Sequence, residues 1–230
     1  MPRLGTFGRF RTSIHVPDQR RAVSTNSFDE RAASWDADPA KVERSRIIAR
    51  AIRASVPLDS STRLLEYGAG TGLVTQALRD TVGPVTMADT SKGMRDVMHA
   101  KIQAGIITDA RVWDLDLATG PVPDERFDVI VAVMTLHHIA KLDAVLAGFA
   151  GLLVDGGHLC VVDLQEDGGS FHGEGFEGHH GFNPDSLASQ LANAGFGEIA
   201  VGDCHDVFRH GVRYPLFLAT CTRRSPDRAK

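Results

Sequence analysis

The chain has 230 residues, enough for one domain with a sizeable core. Its 43% apolar and 23% charged content is that of an ordinary soluble domain, and a net charge of −4 argues against nucleic acid as its main partner. No apolar run is long enough to span a bilayer and no apolar signal core follows the first residues, so a cytoplasmic protein is expected.

Three cysteines, Cys160, Cys204 and Cys221, form no C-x-x-C pair, so neither a disulfide framework nor a cysteine zinc site is expected. Cys160 and Cys221 lie in apolar runs and read as core residues. A reducing compartment fits them.

Residues 1–25 carry Arg3, Arg9, Arg11, Arg20 and Arg21 against one acid, Asp18, with no sustained period. This reads as a disordered basic tail or as an organelle transit peptide. A single folded domain is expected over 26–222, with a solvated tail at 223–230. Ile47, Ile48, Ala51, Ile52 and Val56 recur at helical spacing, which predicts a helix over 40–56 stopped by Pro57. Trp35, ahead of it, is either a core anchor or part of a cover over the site.

From there short β-rich runs alternate with helical patterns. "RLLEYG" is the first strand, followed by a helix over 73–81. "PVTMAD" is the second, followed by a helix over 92–104 that Thr90 or Ser91 can cap. "ARVWDL" is the third. "FDVIVAVM" is the fourth, apolar throughout as a strand covered on both faces requires. A helix over 141–153 leads past Gly156-Gly157 to the fifth strand, "GHLCVVDL". Such alternation predicts an α/β fold, a parallel sheet with helices on both faces. The end of the chain departs from it. Asn183-Pro184 opens a helix that Gly195 closes, and two final strands are separated by little more than His210-Gly211. So short a link permits only an antiparallel pair, so the seventh strand should run against the rest.

"LEYGAGTG" sits where the first strand meets its helix. Gly68, Gly70 and Gly72 let a ligand approach backbone N–H groups. The spacing is G-x-G-x-G, one residue short of the dinucleotide pattern, and the lysine of a phosphate loop is missing. Glu66, near the strand end, would repel pyrophosphate and suit an amino group. Asp89, at the end of the second strand, can accept both hydroxyls of a ribose. The expected ligand is a nucleoside with a positive group and no need of phosphates.

Taken in order, "LEYGAGTG", "MADTSKGM", "DLDLATGPVPDERFDVIVAVMTLHHI" and "FNPDSLASQLANAGF" resemble the class I S-adenosylmethionine-dependent methyltransferases. The likeness runs from Phe28 to Thr222 and is greatest to the small-molecule branch of the quinone-biosynthesis methyltransferases. It implies a Rossmann-like, doubly wound, seven-stranded sheet, mostly parallel with a reversed last strand. It implies S-adenosylmethionine as cofactor and a small-molecule methyl acceptor, with Glu66, Gly68, Gly70 and Gly72 on the methionine moiety. Asp89 would hold the ribose, with Thr90 and Met94 beside the adenosine. Adenine would meet the stretch Asp114, Leu115, Asp116 and Leu117, where counting back from Phe127-Asp128 favours Asp116 and Leu117. Val133 and Met134 would approach the reactive methyl, Met134 being equally a plain packing residue.

A neutral nucleophile must lose a proton on methylation, and histidine is the natural base. The candidates are His138, in the His137-His138 pair after the fourth strand, and His172 and His180 in "FHGEGFEGHHGF", a glycine-rich link that should overlie the sheet edge where ligands bind. The alternatives are a packing feature for the pair and a mobile loop for the link. The spacing of the link's histidines with Glu174 and Glu177 matches no helical ligand pair, so no metal is expected. Two rival functions remain, a nicotinamide-dependent oxidoreductase and a non-catalytic nucleoside-binding module.

Overall fold

A computed structural model describes residues 27–173 and 175–225. The predicted basic tail at 1–25 and residues 226–230 of the C-terminal tail lie outside the described residues.

A short helical segment at 27–31 runs into a 3₁₀ turn at Ala32–Ala37. Helix α1, Pro39–Ser55, follows; the Asp38 side chain caps it by accepting from Ala40 N, and Pro39 opens it. The remaining helices are α2 (Leu73–Leu78), α3 (Lys92–Gln103), α4 (Leu142–Leu152) and α5 (Pro184–Asn193). Ser91 caps α3 and Asn183 caps α5, each from the expected position. The predicted helix over 73–81 is α-helical only to Leu78 and tightens to a 3₁₀ turn at Arg79–Thr81.

The strands are β1 (Leu64–Tyr67), β2 (Val85–Ala88), β3 (Ala110–Trp113), β4 (Phe127–Val133), β5 (Leu153–Leu164), β6 (Phe196–Arg209) and β7 (Val212–Arg223). They form one sheet in the order β3-β2-β1-β4-β5-β7-β6. β1 to β5 pair in parallel, and β7 runs antiparallel to both β5 and β6. The last strand is therefore the reversed one, as the short His210-Gly211 link requires. β5 starts earlier than its apolar run suggests. Leu153 already pairs with Phe127, and the ladder slips until His158 meets Val129, so Gly156-Gly157 lie inside the strand as an irregularity.

The core has two halves, one on each face of the sheet. Leu142, Val145, Leu146, Phe149 and Leu152 of α4 pack with Leu187 and Leu191 of α5 on one face. Ile48, Ala49 and Ile52 of α1 pack with Val74, Leu78 and Met98 on the other. Cys160 and Cys221 are buried, as expected. β1 is buried along its whole length, and the chain leaves its carboxyl end at the edge of the sheet where ligands bind in folds of this kind.

Candidate active site

Parallel pairing of Tyr67 with Ala88 brings the ends of β1 and β2 level. The chain leaves β1 through three left-handed glycines, Gly68 (φ 68°), Gly70 (φ 57°) and Gly72 (φ 77°). A Cβ on Gly68 would fall 2.2 Å from Thr135 Cγ2, whereas one on Gly70 would meet no atom within 4 Å. Gly70 thus faces open space at the crevice, which is what a ligand lying along the loop needs.

The two acids brace this loop. Asp89 Oδ2 accepts from Gly70 N at 2.8 Å and its Oδ1 accepts from Ser91 N at 2.8 Å. Burial raises its carboxyl, and those two amides oppose the rise. Glu66 is 2% exposed. Its Oε2 accepts from Thr75 N (2.9 Å) and Thr75 Oγ1 (2.5 Å) on α2. Burial pushes the Glu66 carboxyl up to about 7, against the Thr75 hydrogen bonds and the charge of Lys101.

The other predicted cofactor residues lie around the same edge. Thr90 is exposed beside Asp89 and Met94 is buried under it. Asp114 points outward, two-thirds exposed, and pairs with Arg95 at 2.9 Å. Asp116 makes a turn cap, accepting from Ala118 N (2.9 Å) and Thr119 Oγ1 (2.7 Å), while Leu115 and Leu117 are buried. Leu117 N donates to the Tyr67 hydroxyl at 3.2 Å, which ties this stretch to β1. Val133 ends β4. Met134 follows in a left-handed conformation (φ 53°), partly buried, with its N–H on Val162 O at 2.8 Å.

Sequence reasoning missed the N-terminal contributors. Asp29 Oδ1 accepts from Ser91 Oγ (2.5 Å) and Gly93 N (2.7 Å), and these bonds hold its carboxyl below the usual range. Asp36 Oδ1 accepts from Thr71 Oγ1 at 2.5 Å, and its Oδ2 pairs with Lys101 Nζ at 2.6 Å. Two acids of this short helical segment therefore hold it against the glycine loop and the start of α3. No motif marked them. Trp35 is half-buried beside this segment, with Lys41 Nζ 4.4 Å over its ring and the Phe28 ring 6.0 Å away.

Histidines gather next to the loop. Thr135, whose Oγ1 donates to Gly68 O at 3.2 Å, leads into a 3₁₀ turn at Leu136–His138. His137 Nδ1 lies 2.5 Å from Oδ1 of the fully buried Asp163. The glycine-rich link folds back onto this turn: His179 N donates to His137 O (2.7 Å), and His179 Nε2 lies 3.0 Å from Ile139 O. Asp167 accepts from Gly169 N (2.9 Å) and Phe171 N (2.6 Å), turning the chain so that His172 comes inward. Ring centroids of His137, His138 and His172 are 4.0 to 5.2 Å apart. Phe176 stacks on His172 at 3.8 Å, and Phe28 meets His138 edge-on at 5.2 Å. Burial pushes His138 down to about 3 and His172 down to about 4, so both rings are neutral near pH 7. His180, the third predicted catalytic residue, stands outside this cluster; it is exposed and its ring lies over Gly169. A cavity of about 320 Å³ lies between the link and α5, lined by Glu166, His179, Asn183 and Gln190.

The seven-stranded sheet agrees with comparisons to known proteins. Residues 40–200 match the family described as "Methyltransferase domain". The chain belongs to the class I S-adenosylmethionine-dependent methyltransferases. It is 32% identical over 152 residues to an uncharacterized methyltransferase of Schizosaccharomyces pombe, covering 59% of this chain and 53% of that one. It is 29% identical over 222 residues to a malonyl-[acyl-carrier protein] O-methyltransferase of Geobacter sulfurreducens, covering 89% and 80%. The chain thus spans about half the length of the first of these relatives and most of the second. A Haloferax volcanii methyltransferase, solved in complex with its Trm112 activator, shares the fold with a TM-score of 0.70 at 16% identity, covering 86% of this chain and 98% of that one. Among the described residues, no helix of this methyltransferase is long and apolar enough to cross a membrane.

Proposed function

We propose that this methyltransferase methylates a small, aromatic or quinone-like acceptor that lies between the glycine loop and the histidine cluster. The carrying observation is the adjacency of two unlike surfaces. One is the braced loop with Glu66 and Asp89 at neighbouring strand ends. The other is the imidazoles of His138, in the turn beyond Thr135, and of His172, from the link, walled by Phe28 and Phe176. Flat apolar walls suit a flat apolar acceptor.

In this reading Glu66 and the loop at Gly68, Gly70 and Gly72 take the methionine end, and Asp89 takes the ribose. Thr90 and Met94 flank the adenosine, with adenine toward Asp116 and Leu117. Val133 and Met134 border the reactive methyl. S-adenosylmethionine supplies an electrophilic methyl on a sulfonium, whose sulfur keeps the bonding pair and leaves neutral. The chain's part is to align the acceptor and exclude water, an effect worth on the order of 7–11 kcal/mol at best. His138 and His172 border the place where an acceptor O–H, N–H or S–H would be oriented; burial keeps both rings neutral, so the proton released as the new bond forms passes on to solvent. The free thiols of Cys160, Cys204 and Cys221 make the cytoplasm the proposed setting.

Calorimetric titration tests the reading. S-adenosylhomocysteine should bind one site per chain and NADH should not; tight NADH binding with no response to S-adenosylhomocysteine would favour the oxidoreductase alternative and end this one.

A further inference from the structure

The histidine cluster has features that acceptor binding alone does not require. His137, His138 and His172 each offer a ring nitrogen, and these nitrogens all lie within 4.8 Å of one another. Metal–imidazole bonds of about 2.0–2.1 Å place the nitrogens of a tetrahedral site about 3.3 Å apart, so the rings need to close by at most about 1.5 Å. The link's spacing gave no hint of this, because two ligands come from the turn after β4 and one from the link.

Two details bear on which nitrogens are available to an ion. His137 Nδ1 is taken by Asp163 Oδ1, and Asp163 also accepts from His137 N (3.2 Å) and Leu164 N (2.8 Å). That acid is fully buried and held by two backbone amides, and a carboxylate on Nδ1 favours the tautomer that leaves Nε2 of His137 with a free lone pair. A carboxylate behind an imidazole is the arrangement that orients metal-bound histidines and strengthens them as donors. Second, His172 Nε2 is buried with no hydrogen-bond partner, the one side-chain atom of that kind among the described residues. A buried polar atom left unpaired is costly and calls for a partner. Phe176 and Phe28 cover the cluster and keep bulk water from competing for it.

We propose that His137, His138 and His172 bind one divalent transition-metal ion, with a coordination position left open toward the acceptor. Three neutral nitrogens and no carboxylate in the inner shell select zinc, cobalt or nickel over magnesium or calcium, which prefer oxygen. Binding of the ion stands independently of the acceptor; its use in orienting an acceptor heteroatom rests on the methyl-transfer reading above.

The test uses tag-free full-length protein, stripped with a chelator and dialysed, then titrated with Co²⁺ while its visible absorption is followed. One equivalent should give ligand-field bands that Zn²⁺ abolishes and excess Mg²⁺ does not. His138→Ala and His172→Ala should each lose the bands, Asp163→Asn should weaken binding about 10- to 100-fold, and His99→Ala, at an exposed position of α3, should change nothing. S-adenosylhomocysteine binding by each variant verifies folding and keeps the two proposals apart. Wild-type protein that binds S-adenosylhomocysteine but gives no bands overturns the metal site alone. Bands that persist in both His138→Ala and His172→Ala place the ion elsewhere and overturn it too.

Discussion

Lys101 Nζ lies 2.6 Å from Asp36 Oδ2 and 2.8 Å from the carbonyl oxygen of Thr71, so one nearly buried ammonium joins the N-terminal segment, the glycine loop and α3. Lys101→Met keeps the apolar stem and removes the charge. Asp36 retains its bond to Thr71, so the expected loss is on the order of 1–3 kcal/mol and not the larger cost of a stranded buried charge. For a chain of this size each kcal/mol lowers Tm by about 2–4 °C. Thermal unfolding at neutral pH measures it, and an unchanged Tm would show that the contact contributes nothing.

Glu66 makes stability depend on pH in a direction opposite to most carboxylates. Its carboxyl is raised from 4.5 to about 7, mainly by burial. Between those values the unfolded chain has lost the proton and the native chain keeps it. The native state then binds more protons, and stability falls as pH rises through that window. The full effect is on the order of 3 kcal/mol. Glu66→Gln is neutral throughout, so its stability curve should lack this decline. Parallel curves for the two proteins between pH 4.5 and 7 would contradict the assignment.

The same acid gives a binding signature. An ammonium group beside Glu66 favours the ionised form. S-adenosylhomocysteine should therefore release a fraction of a proton on binding near pH 6. Calorimetry in buffers of different ionisation enthalpy reads this directly. Release that is absent, or that survives in Glu66→Gln, removes Glu66 from contact with the amino group.

Asp89→Ala removes the acceptor that braces Gly70 and Ser91 and the proposed partner of the ribose. We expect cofactor affinity to fall by about 1–3 kcal/mol, or roughly 5- to 150-fold. Titration with S-adenosylhomocysteine measures it, and wild-type affinity would take Asp89 out of the site.

The glycines separate packing from binding. In Gly68→Ala the new methyl meets Thr135 and the left-handed φ is strained, so stability should fall by about 2–4 kcal/mol. Adding Thr135→Ser, which deletes the clashing Cγ2, should restore part of it. Gly70→Ala meets nothing in the protein and should cost only about 1 kcal/mol of stability, while its methyl enters the proposed cofactor path and weakens binding. Equal stability losses in the two variants would argue against this division.

The fold was legible because its signals are local. Hydrophobic period, the caps Ser91 and Asn183, and the two-residue link at His210-Gly211 each act within a few residues, and together they dictate the strand directions. The glycine loop and both acids were legible because their spacing along one βα unit is itself the structure. Asp29, Asp36, Lys101 and Asp163 were not, because each acts through a partner distant in sequence that only folding supplies. The histidine cluster was half legible. His137-His138 and His172 stood out as residues, but the turn that Asp167 imposes, which brings His172 inward and leaves His180 outside, has no period to betray it.

The glycine-rich link is pinned at several points along its length. Gln165 bridges to Phe182, His179 is bonded to the turn after β4, and Arg209 of the C-terminal hairpin donates to the Phe171 carbonyl. The segment at 27–38 is attached to the crevice chiefly through the carboxylates of Asp29 and Asp36. The link is thus held by backbone pairing and the N-terminal segment by two side chains, so side-chain substitution can loosen the second hold far more than the first.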